Sequence, residues 1–369
     1  MPTGTGAAVL SSLPEVPYVI DPATFASMTE NNDQPLDPVP TPGPGNQTTF
    51  YLPRAGVGSL LKLKFVGNLQ VLTAGPAPGQ RWPYGFLSGF KLSAGLGADT
   101  WDCNGLDLDA LKQTDLPFVF GNVVDQFPGA VGGDATDVLA VGNYPLYLSY
   151  EIPIAVDQTS LIGSLFLQSS SATVSVQLAQ ELTHNLQSPT GASDAAWVIT
   201  GQWYPEITVW DIPVSQKGEL ILPEVNRIHM FVGIDQAITG TGRQPAAVQR
   251  TAGVLQRLFL RSELSPQVFL SALPSTAPSA LIDQIQFNYG LVSTPRIWNP
   301  ASTLAEMNQR DYGAPLPYDT YVIDTLKRNP SRDAILLQGV TNLQALMFVN
   351  PAVDVQPGAY TRVVEEILI

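Results

Sequence analysis

Hydrolytic, redox and metal chemistry draws on histidine, cysteine and grouped carboxylates, and this 369-residue chain is poor in the first two. Its two histidines, His184 and His229, have no second imidazole or thiol at ligand spacing. His229 lies between Ile228 and Met230 in a run that reads as a strand, the setting of a structural histidine. Cys103 is the one cysteine, so an intramolecular disulfide is excluded. Beside Trp101 it reads as a small buried apolar group rather than a reactive thiol. The nearest paired carboxylates are Asp107 with Asp109 and Glu365 with Glu366. Asp107 and Asp109 stand two apart on a short helical stretch and do not share a face, so the spacing favours a solvated helix start over an acid–base pair. Gly240–Thr241–Gly242 lacks the lysine and the following helix of a phosphate cradle and reads as a hairpin tip. Asn46–Gln47–Thr48 fits a glycosylation acceptor, which matters only in a secreted protein. No residue is assigned a catalytic, cofactor-binding or metal-binding role, and the expectation is a non-enzyme without a cofactor.

Composition narrows the class. Charged residues are 14% of the chain, below the roughly 25% of an average soluble domain, while hydrophobic residues are 44%. Much of the surface is therefore covered by uncharged polar groups or buried against other subunits. The net charge of −14 leaves no basic stripe to displace counterions, which argues against direct or sequence-specific nucleic-acid binding. The 32 prolines and 31 glycines, scattered without period, call for many turns between short strands. The length suits two β domains of roughly 150 to 200 residues each.

The elements follow from pattern. Residues 1–45 carry no Lys or Arg, so the basic start of a secretory signal is missing, and no run of 18 apolar residues could span a membrane. Glu30 to Gly45 is polar and proline-rich and reads as an extended arm, either disordered or ordered against a neighbouring subunit. From Leu61 the alternation of Leu61, Leu63 and Phe65 with Lys62, Lys64 and Val66 predicts a strand with one buried face. Phe86–Leu96, Tyr144–Val156, Leu161–Leu182, Trp197–Val214, Ile228–Ile234, Leu255–Arg261, Leu281–Val292 and Tyr318–Leu326 read as further strands. Phe118–Val141 reads as a long surface loop. Thr303 with Glu306 has the spacing of a capping box and predicts a helix over Leu304–Arg310. The apolar end, Val363 to Ile369, must be paired inside a sheet to avoid aggregation. Gln187–Asp194 is the best boundary, giving an arm at 1–45 and two domains at 46–190 and 191–369.

The halves resemble each other. Gly58, Leu60, Leu63 and Phe65 recur as Gly253, Leu255, Leu258 and Leu260 at an offset of 195, which also brings Gly95–Leu96 onto Gly290–Leu291 and, with a slip of two, Trp101 onto Trp298. Tyr144–Leu148 resembles Tyr318–Val322, and Ser164–Gln168 resembles Ala334–Gln338. Five pairings in one order point to a duplicated all-β architecture.

The succession FYLPRAGVGSLLKLKFVGNL, PLYLSYEIPI, IGSLFLQ, ALIDQIQFNYGL and TNLQALMFVNPAVDVQPGAYTRVVEEIL resembles the double jelly-roll major capsid proteins of tailless icosahedral viruses, the tectivirus-like and adenovirus-hexon lineage. The resemblance covers residues 46–369. It implies two jelly-roll β-sandwiches side by side, with short helices in the connections. It further implies a virion protein of the bacteriophage type, made in the host cytoplasm, that assembles as a pseudo-hexameric homotrimer tiling an icosahedral capsid. Its partners would be its own copies, neighbouring capsomers, penton or minor proteins and, in many members, an internal viral membrane. Two rivals stand beside this reading. A carbohydrate- or receptor-binding β-sandwich of spike or lectin type would expose Trp82, Trp203 or Trp210 as sugar platforms. A jelly-roll glycoside hydrolase would need two facing carboxylates.

Overall fold

A computed structural model describes residues 18–94, 99–114, 125–133, 137–156, 161–168, 173–224, 227–265, 268–269, 282–289, 295–313, 316, 320–325, 335–338, 340, 343–351, 355 and 357–369. Among the described residues, sixteen of the strands fall into two sets of eight, and six shorter ones lie beside them. The first set is β1 (Asn31–Pro35), β2 (Gln47–Tyr51), β3 (Val57–Val71), β4 (Leu87–Ser93), β5 (Asp99–Cys103), β6 (Gly142–Ile152), β7 (Ser175–Gln180) and β8 (Trp197–Trp210). The second is β9 (His229–Ala237), β10 (Gly242–Ala247), β11 (Val254–Ser265), β12 (Ile282–Asn288), β13 (Arg296–Trp298), β14 (Thr320–Asp324), β15 (Gln344–Val349) and β16 (Tyr360–Leu368). Three short helices join them: α1 (Pro22–Met28), α2 (Gly105–Thr114) and α3 (Ser302–Tyr312).

Each set closes as a jelly roll. The first pairs β1-β8-β3-β6 in one sheet and β2-β7-β4-β5 in the other. In the second, the same order returns as β9-β16-β11-β14 and β10-β15-β12-β13. Alternation along the strands builds both cores. Leu61, Leu63 and Phe65 point inward from β3 and are wholly buried, whereas Lys62, Lys64 and Val66 point outward. Phe65, Phe86 and Trp203 form one aromatic cluster with ring centroids 4.7–5.8 Å apart. The second core gathers Leu255, Leu258, Leu260, Ile285, Phe287, Val363 and Ile367. As the apolar C-terminal pattern requires, β16 lies between β9 and β11.

The sheets of the two rolls run into one another. β5 pairs in parallel with β9, Trp101 opposite Phe231 and Asp102 opposite Val232. The sheet β9-β16-β11 is thereby covered on both faces. Phe231, Phe259 and Val364 join the first core, while Leu258, Val363 and Ile367 face the second.

The duplication is visible residue by residue. Gly56 (φ 67°) and Gly253 (φ 94°) occupy the same position just before β3 and β11, 197 residues apart. Their carbonyls accept from Leu167 N–H at 3.0 Å and Leu337 N–H at 2.8 Å, each just after a short strand, Leu165–Phe166 and Ile335–Leu336. The likeness of Ser164–Gln168 to Ala334–Gln338 therefore holds in register. The offset of 195 along β3 and β11 slips by two, which preserves the face of every residue in a strand of period two. Tyr321, opposite Leu260, answers to Tyr150, opposite Leu63, and not to Tyr147. Trp101 and Trp298 do lie on equivalent strands, facing Leu92 and Ile285. Gly95–Leu96 and Gly290–Leu291 lie outside the described residues.

Other expectations are corrected. The proline-rich stretch orders against its own chain: Asn31–Pro35 is the first strand of the first roll, paired to β8 from Glu206 to Trp210, and Val39–Pro40 follows it. Its prolines sit on an edge strand, where a missing N–H costs nothing. Before it, Tyr18–Ile20 pairs in parallel with Ile221–Pro223, and Phe25 of α1 is buried against Val57 and Trp210. Trp197–Trp210, read as the opening of the second half, pairs along its whole length with Val57–Val71 in the first roll. Thr303 does not cap α3, whose N-cap is Ala301 without a side-chain bond. Gly240–Gly242 joins strands of two different sheets rather than a hairpin. Of the loop Phe118–Val141, residues 125–133 and 137–141 are described, and they form turns with a bridge from Gln126 to Tyr147.

A Cβ at Gly56 would stand 2.4 Å from the Trp210 carbonyl oxygen, and one at Gly253 would stand 2.7 Å from that of Leu368. Gly218, also at positive φ, has nothing within 4 Å. We expect Gly56→Ala and Gly253→Ala to cost about 2–4 kcal/mol in urea unfolding, and Gly218→Ala about 1 kcal/mol.

Candidate functional site: the ionic joint between the rolls

The functional groups of this chain converge where α2 leaves the first roll and lies on the outer face of β9-β16-β11. Asn104 and Asp107 cap the helix reciprocally. The Asn104 N–H donates to Asp107 Oδ2, and the Asp107 N–H donates to Asn104 Oδ1, both at 3.0 Å. The same carboxylate reaches across the joint. Asp107 Oδ1 accepts from Arg261 Nη1 at 2.9 Å, and Oδ2 accepts from Arg362 Nε at 3.0 Å. Burial alone would raise the Asp107 pKa, but Arg362 and Arg261 hold it below the ordinary carboxylate value. Asp107 is therefore no solvated helix start. The expectation failed because the residues that bury it lie more than 150 positions further along the chain.

Two more carboxylates complete the joint. Glu263, on β11, accepts from Arg81 Nη2 at 3.0 Å, Arg261 Nε at 3.1 Å and the Tyr360 hydroxyl at 2.6 Å. Arg81 also reaches Glu181 at 2.7 Å. Glu366, on β16, accepts from Arg257 and lies 3.1 Å from His229 Nε2, while Nδ1 of the same ring meets the Pro153 carbonyl at 2.9 Å. Burial would raise Glu366, yet Arg257 and His229 bring it down to about 2. Trp101 packs edge-on against the imidazole at 5.2 Å. Glu365 points the other way and accepts from the backbone N–H groups of Gln249 and Arg250. The two glutamates are thus not a pair.

Asp109 is also buried, but on the first-roll side of α2. Burial and the neighbouring Asp125 push its pKa up to about 7 against Lys112 and Gln113, which lower it. Asp125 itself accepts from the Tyr84 hydroxyl at 2.5 Å and from Ser149 at 2.8 Å, tying residues 125–133 to the roll.

This arrangement positions and holds. The joint's carboxylates are occupied by arginine, and Cys103 is buried with its thiol pKa pushed up by burial and by Asp107. His184 is at the surface, 2.9 Å from Asp194. Among the described residues there is no group of His, Cys, Asp or Glu suited to a metal ion. Trp82, Trp203 and Trp210 are buried at 0%, 1% and 8% exposure, so none is a sugar platform. The joint left traces in the sequence: Asn104-x-x-Asp107 is a capping spacing, and Arg257 and Arg261 flank the apolar run Leu258–Phe259–Leu260 of a strand.

Comparison with solved structures places the fold. The STIV major capsid protein matches with a TM-score of 0.64 at 14% identity, covering 92% of this chain and 97% of that one. PBCV-1 VP54, determined fitted into a reconstruction of the virophage Sputnik, matches with 0.59 at 10% identity over 92% and 93%. The major capsid protein P2 from Bacteriophage PM2 matches with 0.51 at 10% identity over 92% and 98%. The chain has the double jelly-roll fold of these viral major capsid proteins. No sequence-family description matches it, and neither does any curated protein sequence.

The two buried acids oppose each other in pH. Glu366 is depressed, so its contribution is present above its unfolded value of 4.5 and is lost as pH falls toward 2. Asp109 is raised, so stability declines as pH rises from its unfolded value of 3.8 through about 7. We expect Asp109→Asn to gain stability over the parent steadily between pH 4 and pH 8, by about 2 kcal/mol or more at the upper end. Denaturant titrations across that range measure it.

Proposed function

We propose that this chain is a major capsid protein, a structural component of a virus particle, and that three copies form a pseudo-hexagonal capsomer that tiles an icosahedral shell. The observation that carries the reading is the joining of two eight-stranded rolls, side by side in one continuous sheet, in the topology shared with capsid proteins over 92% of the chain. The pairing supports dividing the chain into a roll at 31–210 and a roll at 229–368, with Tyr18–Met28 packed against Ile212 and Ile221–Pro223 beside the start of β3. A charged fraction of 14% suits a surface that meets neighbours over wide areas. Partners in this reading are other copies, neighbouring capsomers, penton or minor proteins and an internal membrane, and the place of work is the virion. No helix among the described residues is long and apolar enough to cross a membrane.

Light scattering over a range of protein concentrations, with electron microscopy of the same sample, tests it. We expect a species near three times 39.6 kDa with a hexagonal outline, or assembly into facets. A monomer at every concentration overturns the reading.

A further inference from the structure

The internal duplication identifies a surface that is covered in one roll and open in the other. In the second roll the outer face of β9-β16-β11 is buried by α2 of the first. Strand registers fix the matching positions in the first roll. Arg261 lies opposite Arg362 as Lys64 lies opposite Tyr204, and Glu263 opposite Tyr360 as Val66 opposite Gln202. The Arg261 and Glu263 side chains are 2% and 0% exposed, whereas Val66 is 42% exposed, Tyr204 40% and the neighbouring Tyr147 38%. A half-apolar sheet face is thus left open at the positions the second roll buries.

The helices show the complementary asymmetry. α2 and α3 follow equivalent strands and lean on the equivalent strands β6 and β14. Lys112 donates to Ser149 on β6 at 3.4 Å, and Asn308 exchanges bonds of 2.8 and 2.9 Å with the Val322 backbone on β14. That alignment places Thr303, Glu306, Met307 and Arg310 where α2 carries Asp107, Ala110, Leu111 and Thr114. The α2 residues are buried, and through Asp107 and Thr114 they hold Arg261, Arg362 and Arg257 of the second roll. On α3, Thr303, Glu306 and Arg310 are exposed. The strand edges agree: β5 is joined to β9, while β13 and β1, their counterparts, have no further partner strand among the described residues.

We infer that the open face of β1-β8-β3-β6 receives α3 of a second copy, with β13 of that copy beside β1, so that the joint inside one chain is repeated between chains. The inference rests on the capsid reading and adds the surfaces to it. The contact is head-to-tail, which closes a ring instead of stopping at a pair. Met307 meets Val66 and Tyr204, beside Lys62 and Lys64, which are paired to Asp33 and Glu206 of their own chain.

Cysteine cross-linking with a short bis-maleimide tests this on the full-length chain, whose Cys103 is buried. Lys64→Cys with Thr303→Cys in one chain is expected to give covalent dimers and trimers on a denaturing gel. Lys64→Cys chains co-assembled with Thr303→Cys chains are expected to give dimers only, and neither variant alone is expected to cross-link. Cross-linking of Lys64→Cys with itself would mean that the face meets its own copy and overturns the inference. A trimer by light scattering without any cross-link overturns the surfaces while leaving the capsid reading intact; a monomer removes both. Val66→Glu, on the exposed face, should weaken the trimer at least tenfold with an unchanged circular dichroism spectrum.

Discussion

The structure depends on burying one sheet from both sides. β9-β16-β11 supplies apolar side chains to its own core and to that of the first roll, so its outer face cannot carry unpaired charge. Yet that face holds Arg257, Arg261, Glu263, Arg362 and Glu366. Each is matched: Asp107 to Arg261 and Arg362, Glu263 to Arg81 and Arg261, Glu366 to Arg257 and His229. Such pairs contribute little to net stability against an apolar alternative, but losing one partner strands the other in a dry interface. Their effect is to fix the register and angle of the two rolls. An apolar contact would tolerate sliding; a carboxylate shared by two arginines and a helix-capping bond does not.

Much of this was legible from alternation alone. Leu61, Leu63 and Phe65 behaved as a period-two pattern demands, the apolar C-terminal strand took a central place, and the Ser164–Gln168 repeat held in register with Ala334–Gln338. What was not legible is tertiary. Asn31–Pro35 lacks every mark of a strand because an edge strand is made by its neighbour, here β8, and needs little propensity of its own. Asp107 and Asp109 look alike in sequence and differ only in which body faces them, arginines on one side and a second carboxylate on the other. The tryptophans that a lectin reading needed at the surface proved to be the largest core residues, and aromatic size alone does not say which side of a sheet it occupies.

The bonding of α2 explains why the low charge of the chain is not a weakness. With few cations available, Arg81, Arg257, Arg261 and Arg362 are placed at the joint, each with a carboxylate partner, and the outer surfaces carry acids among many neutral polar groups. A surface of that kind is soluble through hydrogen bonding and can be desolvated at modest cost when another apposing surface arrives.

In both rolls most consecutive strands alternate between sheets, β4-β5 and β12-β13 excepted, so most ladders join segments far apart in sequence: β9 meets β16, and β3 meets β8. Contacts of this separation form only after long loops have closed, which makes folding slow. The same wiring resists opening, since a central strand such as β16 cannot leave its sheet without freeing a partner on each side. Persistence in such a fold is governed by a barrier as well as by an equilibrium.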